Sequence, residues 1–486
     1  MRNKFYYHST RNNNGHYTAS EAILKGLADD GGLFVPGEIP NIANKLGELA
    51  KLSYAKLCHA VVCEFFGEFR GDREFEADVT RAYDKFDTLS TLELKEFDKV
   101  CYMELYHGPT CAFKDFALSV LPCEIRAAKR NLGAEGEYAI LTATSGDTGK
   151  AALEAFRGQE GFKIAVVYPK HGVSKIQELQ MNSTTESNTF VCGLEDNFDA
   201  CQTLVKEMLG EKIDGVNLSS ANSINIGRLI PQVAYYFYTY LRLVENGRIG
   251  MGQKINFSVP TGNFGDILAG YIAKKMGLPV NKLICASNMN KILTDFFKTG
   301  VYDKRRKFYI TQSPSMDILI SSNFERLLWF VTRDDEYVSS LMRDLKNDGL
   351  FMAKELLPFL KDFAADYATE QETAEEIGRV FKEHGYLIDT HTAVASAVAR
   401  KMDLPEYTVI LSTASPYKFC SSVLEALGET PSEDEFESLD RLAAISGMPA
   451  PYTLTSLRNI TRVHDNCGGV KEVKAMIKDF LEKGDA

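Results

Sequence analysis

No two cysteines in this sequence stand at CxxC spacing, and none pairs with histidine at metal-ligand spacing. That excludes zinc-ribbon and similar metal sites, and leaves the ten cysteines as reduced, mostly buried thiols of a cytosolic protein. No apolar run reaches the roughly 18 residues of a membrane span. The first residues, Met1-Arg2-Asn3-Lys4-Phe5-Tyr6, hold no apolar signal core. No dense Lys/Arg run occurs, and 55 basic against 66 acidic residues give a net charge of −11. A nucleic-acid or membrane partner is therefore not expected, whereas a small anionic ligand needs only a few local donors. Repeats, low-complexity tracts and long Pro/Gly linkers are also missing, so the domains should be tightly packed. What is present is ordinary for a soluble globular chain: 45% apolar and 25% charged residues over 486 positions, enough for two or three domains.

In chain order, Asp29-Asp30-Gly31-Gly32-Leu33-Phe34-Val35-Pro36 reads as a turn and a short strand, and Tyr54 to Phe66 as an amphipathic helix. The charged segment Phe69 to Lys99 reads as helices and loops. From Tyr138 strand and helix alternate. Strand-like runs are Tyr138–Ala143, Lys163–Tyr168, Thr189–Cys192, Ile255–Val259 and Leu283–Ala286. Helical runs include Gly149–Phe156, Ser174–Met181, Phe198–Leu209, Ile226–Val244 and Ile267–Met276. This predicts βαβ units, an α/β fold and a mostly parallel sheet, with ligands at the loops leaving the strands' carboxyl ends. Residues 300–380, with the single tryptophan Trp329, read as a helical insertion. Tyr386–Ile388, helix 392–402 and strand Tyr407–Ser412 resume the alternation, and Val470 to Lys483 reads as an amphipathic tail helix.

One stretch looks built for covalent catalysis. Gly108 and Pro109 set a turn, and Phe113, Phe116, Ala117, Val120 and Leu121 recur at helical spacing. Lys114 then falls in the first turn of a helix, between two phenylalanines. The helix dipole and an apolar surround both disfavour its ammonium form, which suits a Schiff-base lysine. A solvated lysine paired with Asp115 is the plain alternative.

Four loops add chemistry. Thr142-Ala143-Thr144-Ser145-Gly146-Asp147-Thr148-Gly149 joins a strand to a helix and gathers hydroxyls where an anion is welcome. It fails as a nucleotide P-loop, because Thr144 replaces the first glycine and Ala151 the Ser/Thr; Ser145 or Asp147 as a simple N-cap is the alternative. Gly262-Asn263-Phe264-Gly265-Asp266 offers amides for a single phosphate, or is only a tight turn. Ser219 to Arg228 ends on an arginine able to fork onto phosphate or carboxylate, or only caps a helix. At Leu411-Ser412-Thr413 an apolar strand ends in hydroxyls; Thr413 is placed to meet a ring nitrogen, or only caps a turn.

Taken in order, these segments strongly resemble the threonine synthase family, in its longer bacterial and fungal type. The resemblance runs nearly the whole chain: Asp30 to Pro36, His107-Gly108-Pro109-Thr110 with Phe113-Lys114-Asp115, Thr142 to Gly149, Asn222 to Arg228, Gly262 to Asp266, Ser315-Met316-Asp317, Ser322 to Arg326, and Thr413 with Pro416 and Lys418-Phe419. It implies an α/β, fold-type II pyridoxal-phosphate enzyme of the tryptophan-synthase-β-like fold, with two parallel-sheet domains, helices on both faces and an N-terminal domain. The implied boundaries are 1–98 for that domain and 99–486 for the catalytic region, which holds an inner domain near 131–240 and the insertion near 300–380.

By this resemblance Lys114 forms the imine with pyridoxal 5'-phosphate. Gly262, Asn263, Phe264 and Gly265 take the cofactor phosphate, Thr413 faces the pyridine nitrogen, and Asp147 stands beside O3′, where asparagine is usual. Ser145, Gly146 and Thr148 bind the substrate carboxylate; Asn222, Ser223 and Arg228 bind its phosphate. The implied reaction converts O-phospho-L-homoserine and water to L-threonine and phosphate in a cytoplasmic monomer or homodimer without a metal. Thr390 before His391 replaces a usual proline, and the role of His391 stays open. A serine/threonine dehydratase, a phospho-lyase or a non-catalytic binding protein of the same fold is the alternative.

Overall fold

The structure is a computed structural model and describes residues 6–482. Two parallel sheets organise it. The larger has six strands in the order Phe363–Tyr367, Val280–Ser287, Ile255–Pro260, Thr408–Ser412, Val100–Glu104, Glu93–Phe97. Every neighbouring pair is parallel except the last. The smaller runs Asn466–Gly468, Thr189–Leu194, Phe162–Pro169, Glu137–Ala143, Val216–Ser220, all parallel.

The inner strands are mostly apolar because helices cover both faces. In the large sheet Cys101, Met103, Val409, Leu411, Leu283 and Cys285 join the main core, while Tyr102, Ile410, Ile284 and Ala286 join a second core with helix Thr390–Met402. In the small sheet Ile140, Ile164 and Val166 face the main core, and Ala139, Leu141, Ala165 and Val167 face a third, closed by helices Phe198–Leu209 and Val470–Glu482. Alternate side chains thus serve opposite layers. The N-terminal region adds a three-stranded antiparallel sheet, Asn12–Tyr17, Tyr7–Ser9 and Phe34–Pro36, and shares the main core.

Several expectations change. The segment Phe69 to Lys99 is not only helix and loop: Glu93–Phe97 pairs antiparallel with Val100–Glu104 as the sheet's edge. Its alternating polar residues fit an edge strand better than a buried one. The stretch 300–380 is not purely helical either. It holds a ribbon, Val301–Asp303 with Leu350–Met352, and contributes the opposite edge strand, Phe363–Tyr367. Tyr386–Ile388 is a buried connector rather than a strand, since both edges are taken by other segments and the Tyr386 hydroxyl donates to Glu104 at 2.8 Å. The run Ile226–Val244 breaks into Ile226–Leu229, a 3-10 turn Ile230–Gln232 and Val233–Glu245, because Pro231 cannot donate within a continuous helix. The tail helix spans Val470–Glu482, and Lys483 lies outside the described residues.

Candidate active site

Three adjacent strands of the large sheet deliver three of the singled-out loops. Ile255–Pro260 leads to Gly262–Gly265, Thr408–Ser412 to Thr413, and Val100–Glu104 to Lys114. The last two loops are zipped together. Ala112 bridges Ala414, Phe113 N–H donates to Thr413 O at 2.9 Å, and Ser415 N–H donates to Cys111 O at 3.1 Å. Cys111 turns through a left-handed φ of 57° to make this join. From the small sheet, Glu137–Ala143 and Val216–Ser220 are neighbours on either side of the point where strand order reverses. Their loops, 144–149 and 221–228, face the large sheet's loops, as the topology of open α/β sheets favours.

One cavity joins both sets. Lys114, Asp147, Thr148, Asn222, Ser223, Arg228, Gly262 to Asp266 and Thr413 line it, together with Gln232, Ser315, Met316 and His391. Ser145 and Gly146 do not. Gly146, at φ 130°, is wedged against Gln177, where a Cβ would stand 2.5 Å from its side chain. The helix cap also differs from the expected Ser145 or Asp147. The Thr144 hydroxyl accepts from Gly146 N–H at 2.9 Å and Gly149 N–H at 2.8 Å, which leaves the Asp147 carboxylate for other partners.

Lys114 opens a helix of only five residues, Lys114–Leu118, so the dipole contributes little. Burial is what lowers its pKa, opposed by Asp147 and reinforced by Lys418 and Arg228. Its Nζ lies 4.7 Å from the Phe113 ring centre and 3.7 Å from Asp147 Oδ2. Asp115 is not its partner; that carboxylate accepts from Thr110 N–H at 2.8 Å and the Thr110 hydroxyl at 2.7 Å. Asp147 meets Lys418 Nζ at 2.5 Å, Gln177 Nε2 at 3.0 Å and the Ser315 hydroxyl at 3.5 Å. Burial alone would raise its pKa, but Lys418 and Lys114 outweigh burial and hold the carboxyl below the ordinary range.

The 262–265 turn is tightly shaped. A Cβ on Gly262 would stand 2.6 Å from Ser315 O. Phe264 sits at φ 62°, its ring held among Phe297, Phe324 and Phe363, and helix Gly265–Lys275 then starts with amides free of helical partners. Arg228 is buried; Nη1 donates to Ala221 O, while Nε has no partner. Burial pushes its pKa down to about 10. Asn222 lines the cavity, but its amide also braces Ala143, donating to Ala143 O at 2.9 Å. Ser223 Oγ accepts from Asn323 Nδ2 at 3.1 Å.

Sequence reasoning assigned nothing to Gln232, Asp266, Ser315 or Lys418. Gln232, Asp266 and Ser315 line the cavity and Lys418 lies behind it against Asp147; their signal was weak, although Asp266, Ser315 and Lys418 stand inside quoted motifs. His391 receives a definite setting. Nδ1 bonds Asp389 Oδ2 at 2.7 Å and Nε2 accepts from Ser315 N–H at 3.1 Å, which fixes the proton on Nδ1. Among the described residues no group of three or more His, Cys, Asp or Glu side chains is set to hold a metal.

Comparison with known proteins adds independent findings. Residues 6–83 match a family model described as threonine synthase N terminus, residues 89–414 one described as pyridoxal-phosphate dependent enzyme, and residues 392–465 one described as threonine synthase, C-terminal. The chain is 37% identical to threonine synthase of Saccharomyces cerevisiae, over 87% of this chain and 89% of that one. It is 36% identical to threonine synthase of Pseudomonas aeruginosa, over 95% and 99%. The solved structure of pyridoxal-phosphate-bound threonine synthase from Brucella melitensis superimposes with a TM-score of 0.87 at 38% identity, covering 99% and 100% of the two chains.

Proposed function

This chain belongs to the threonine synthase family of pyridoxal-phosphate enzymes, and from that premise we propose how its own residues divide the reaction. The activity is that of a threonine synthase, converting O-phospho-L-homoserine and water to L-threonine and phosphate with pyridoxal phosphate as cofactor. One observation carries the assignment of residues: Lys114, the 262–265 turn, Thr413 and a buried Arg228 with an unpartnered Nε share one cavity.

The residues present fit the cofactor. An amine whose pKa burial lowers, at Lys114, suits its aldehyde, and the Gly262–Gly265 amides, at the start of a helix from Gly265 to Lys275, suit its phosphate. The Thr413 hydroxyl, uncharged, suits an unprotonated ring nitrogen. When bound, pyridoxal phosphate supplies an electron sink for charge developing beside the substrate's amino group. Lys114 then acts as general base at Cα and returns protons to neighbouring carbons. Thr148 receives the substrate carboxylate, with Ser145 and Gly146 shaping that loop. Arg228, beside Asn222 and Ser223, takes the phosphate. Its charge counts most as the phosphate leaves, because the guanidinium is buried and already in place.

The arginine also favours a phosphorylated substrate over the serine or threonine of a dehydratase. Incubation with O-phospho-L-homoserine should release phosphate and threonine in equal amounts; release of a keto acid instead would point to a phospho-lyase. Borohydride trapping with peptide mapping should place the pyridoxyl group on Lys114. We further propose a cytoplasmic monomer or homodimer without nucleic-acid or membrane partners. The acidic net charge weighs against a nucleic-acid or anionic-membrane partner, and among the described residues no helix is long and apolar enough to cross a membrane.

A further inference from the structure

We propose that Lys418 is a positioning residue that acts through Asp147 to keep the Lys114 amine free of its proton. This rests on the reading of Lys114 as the amine that captures the cofactor. Lys418 stands on the 3-10 turn Pro416–Phe419, just past the loop that carries Thr413. Its side chain is fully buried and does not line the cavity. Nζ is held from two sides, 2.5 Å from Asp147 Oδ1 and 3.0 Å from Thr110 O. The other oxygen of the same carboxylate lies 3.7 Å from Lys114 Nζ. One buried anion therefore lies between two lysines, and the nearer is the one that cannot reach the cavity.

The charges decide what this does. Alone in a dry site, the Asp147 carboxylate would hold Lys114 as an ammonium, and an ammonium cannot attack an aldehyde. With Lys418 against it, the carboxylate already has a partner and its pull on Lys114 is weakened. Other charged groups facing the amine are Arg228 and Asp266, both on the cavity. Asp115 is turned away to Thr110, and His391 faces the Asp147 side with its proton directed to Asp389. Gln177 and Ser315, the remaining partners of Asp147, are neutral.

The test is trace acetylation of the full-length protein, freed of cofactor, with acetic anhydride across pH. Labelling is quantified at the peptide that carries Lys114. The opposed charges predict opposed shifts in the pH midpoint. Lys418→Met should raise it by about one unit, a roughly tenfold drop in labelling rate at pH 7. Asp147→Asn should lower it. Lys418→Met combined with Asp147→Asn should return it to within about half a unit of the parent, the pattern of a coupled pair. The double variant removes both charges of the buried Lys418–Asp147 pair together, so if Lys418→Met does not fold, a midpoint for Asp147→Asn below that of the double variant still supports the proposal. Equal midpoints throughout, or shifts of one sign in both single variants, overturn it. Pyridoxyl trapping in the parent protein is scored separately: failure there removes the cofactor role of Lys114, not its electrostatic link to Lys418.

Discussion

The amine at Lys114 is largely buried and the guanidinium at Arg228 almost fully so, and each has a use for the energy this costs. Lys114→Ala should abolish turnover and the cofactor's visible absorbance, read on the purified protein. Arg228→Ala should raise KM for the phosphorylated substrate by about 10- to 100-fold, the worth of a charge-assisted hydrogen bond, while cofactor affinity changes little. An unchanged KM would make Arg228 structural. Glu124 shows the same burial without a use in the reaction. It is fully buried, neither carboxyl oxygen has a partner, and burial pushes its pKa well above the ordinary value. A carboxyl with a raised folded-state pKa keeps its proton in the fold and loses it in the unfolded chain. Its penalty is therefore absent below the ordinary Glu range and grows as pH rises toward the folded value. Glu124→Met should raise Tm, by about 1–3 kcal/mol of stability, and by more at pH 8 than at pH 5. An equal gain at both values would show that Glu124 does not titrate between them.

At the scale of elements, the strand ends do most of the assembling: the loops that carry Lys114, Asp147, Asn222, Gly262 and Thr413 each follow a strand. Helix Thr390–Met402 brings His391 to the cavity, with Asp389 capping it through Thr392 N–H at 3.1 Å and His391 N–H at 2.9 Å. Thr390 occupies the first helical position, where proline is at ease, and its buried hydroxyl has no partner. Thr390→Pro should stabilise the protein by about 0.4–1 kcal/mol, seen as a higher Tm with unchanged kcat. A lower Tm would mean that the local backbone does not accept the ring. Strands such as Phe162–Pro169 were legible because apolar runs bounded by turns survive burial on both faces. Val216–Ser220 was not, since Val-Asn-Leu-Ser-Ser has neither a continuous run nor clean alternation. The site was legible where a loop held several unusual residues together, as at Gly262 to Asp266. It was illegible where one polar residue arrives from a distant segment, as with Gln177 against Gly146 or Lys418 against Asp147.

In the whole molecule the N-terminal region reaches the site through Arg326. That side chain is fully buried; Nε donates to Phe34 O at 2.9 Å, Nη1 to Ser223 O at 3.1 Å and Nη2 to Ile224 O at 2.6 Å. Beside it, Glu325 accepts from the Thr10 hydroxyl at 2.6 Å and pairs with Arg11 at 2.8 Å. Lysine cannot reproduce three bonds from one planar fork. Arg326→Lys should lower Tm and raise KM for the phosphorylated substrate together. A fall in Tm with KM unchanged would separate the N-terminal sheet from substrate binding. The small sheet is also drawn from distant parts of the chain, because Asn466–Gly468 pairs beside Thr189–Leu194 and Val470–Glu482 closes the layer behind it. During synthesis, then, residues 189–194 present a bare strand edge to the cell until 466–482 emerge. The inner domain is complete only when that late segment docks, which makes the interval before docking the time when the nascent chain most needs protection from aggregation.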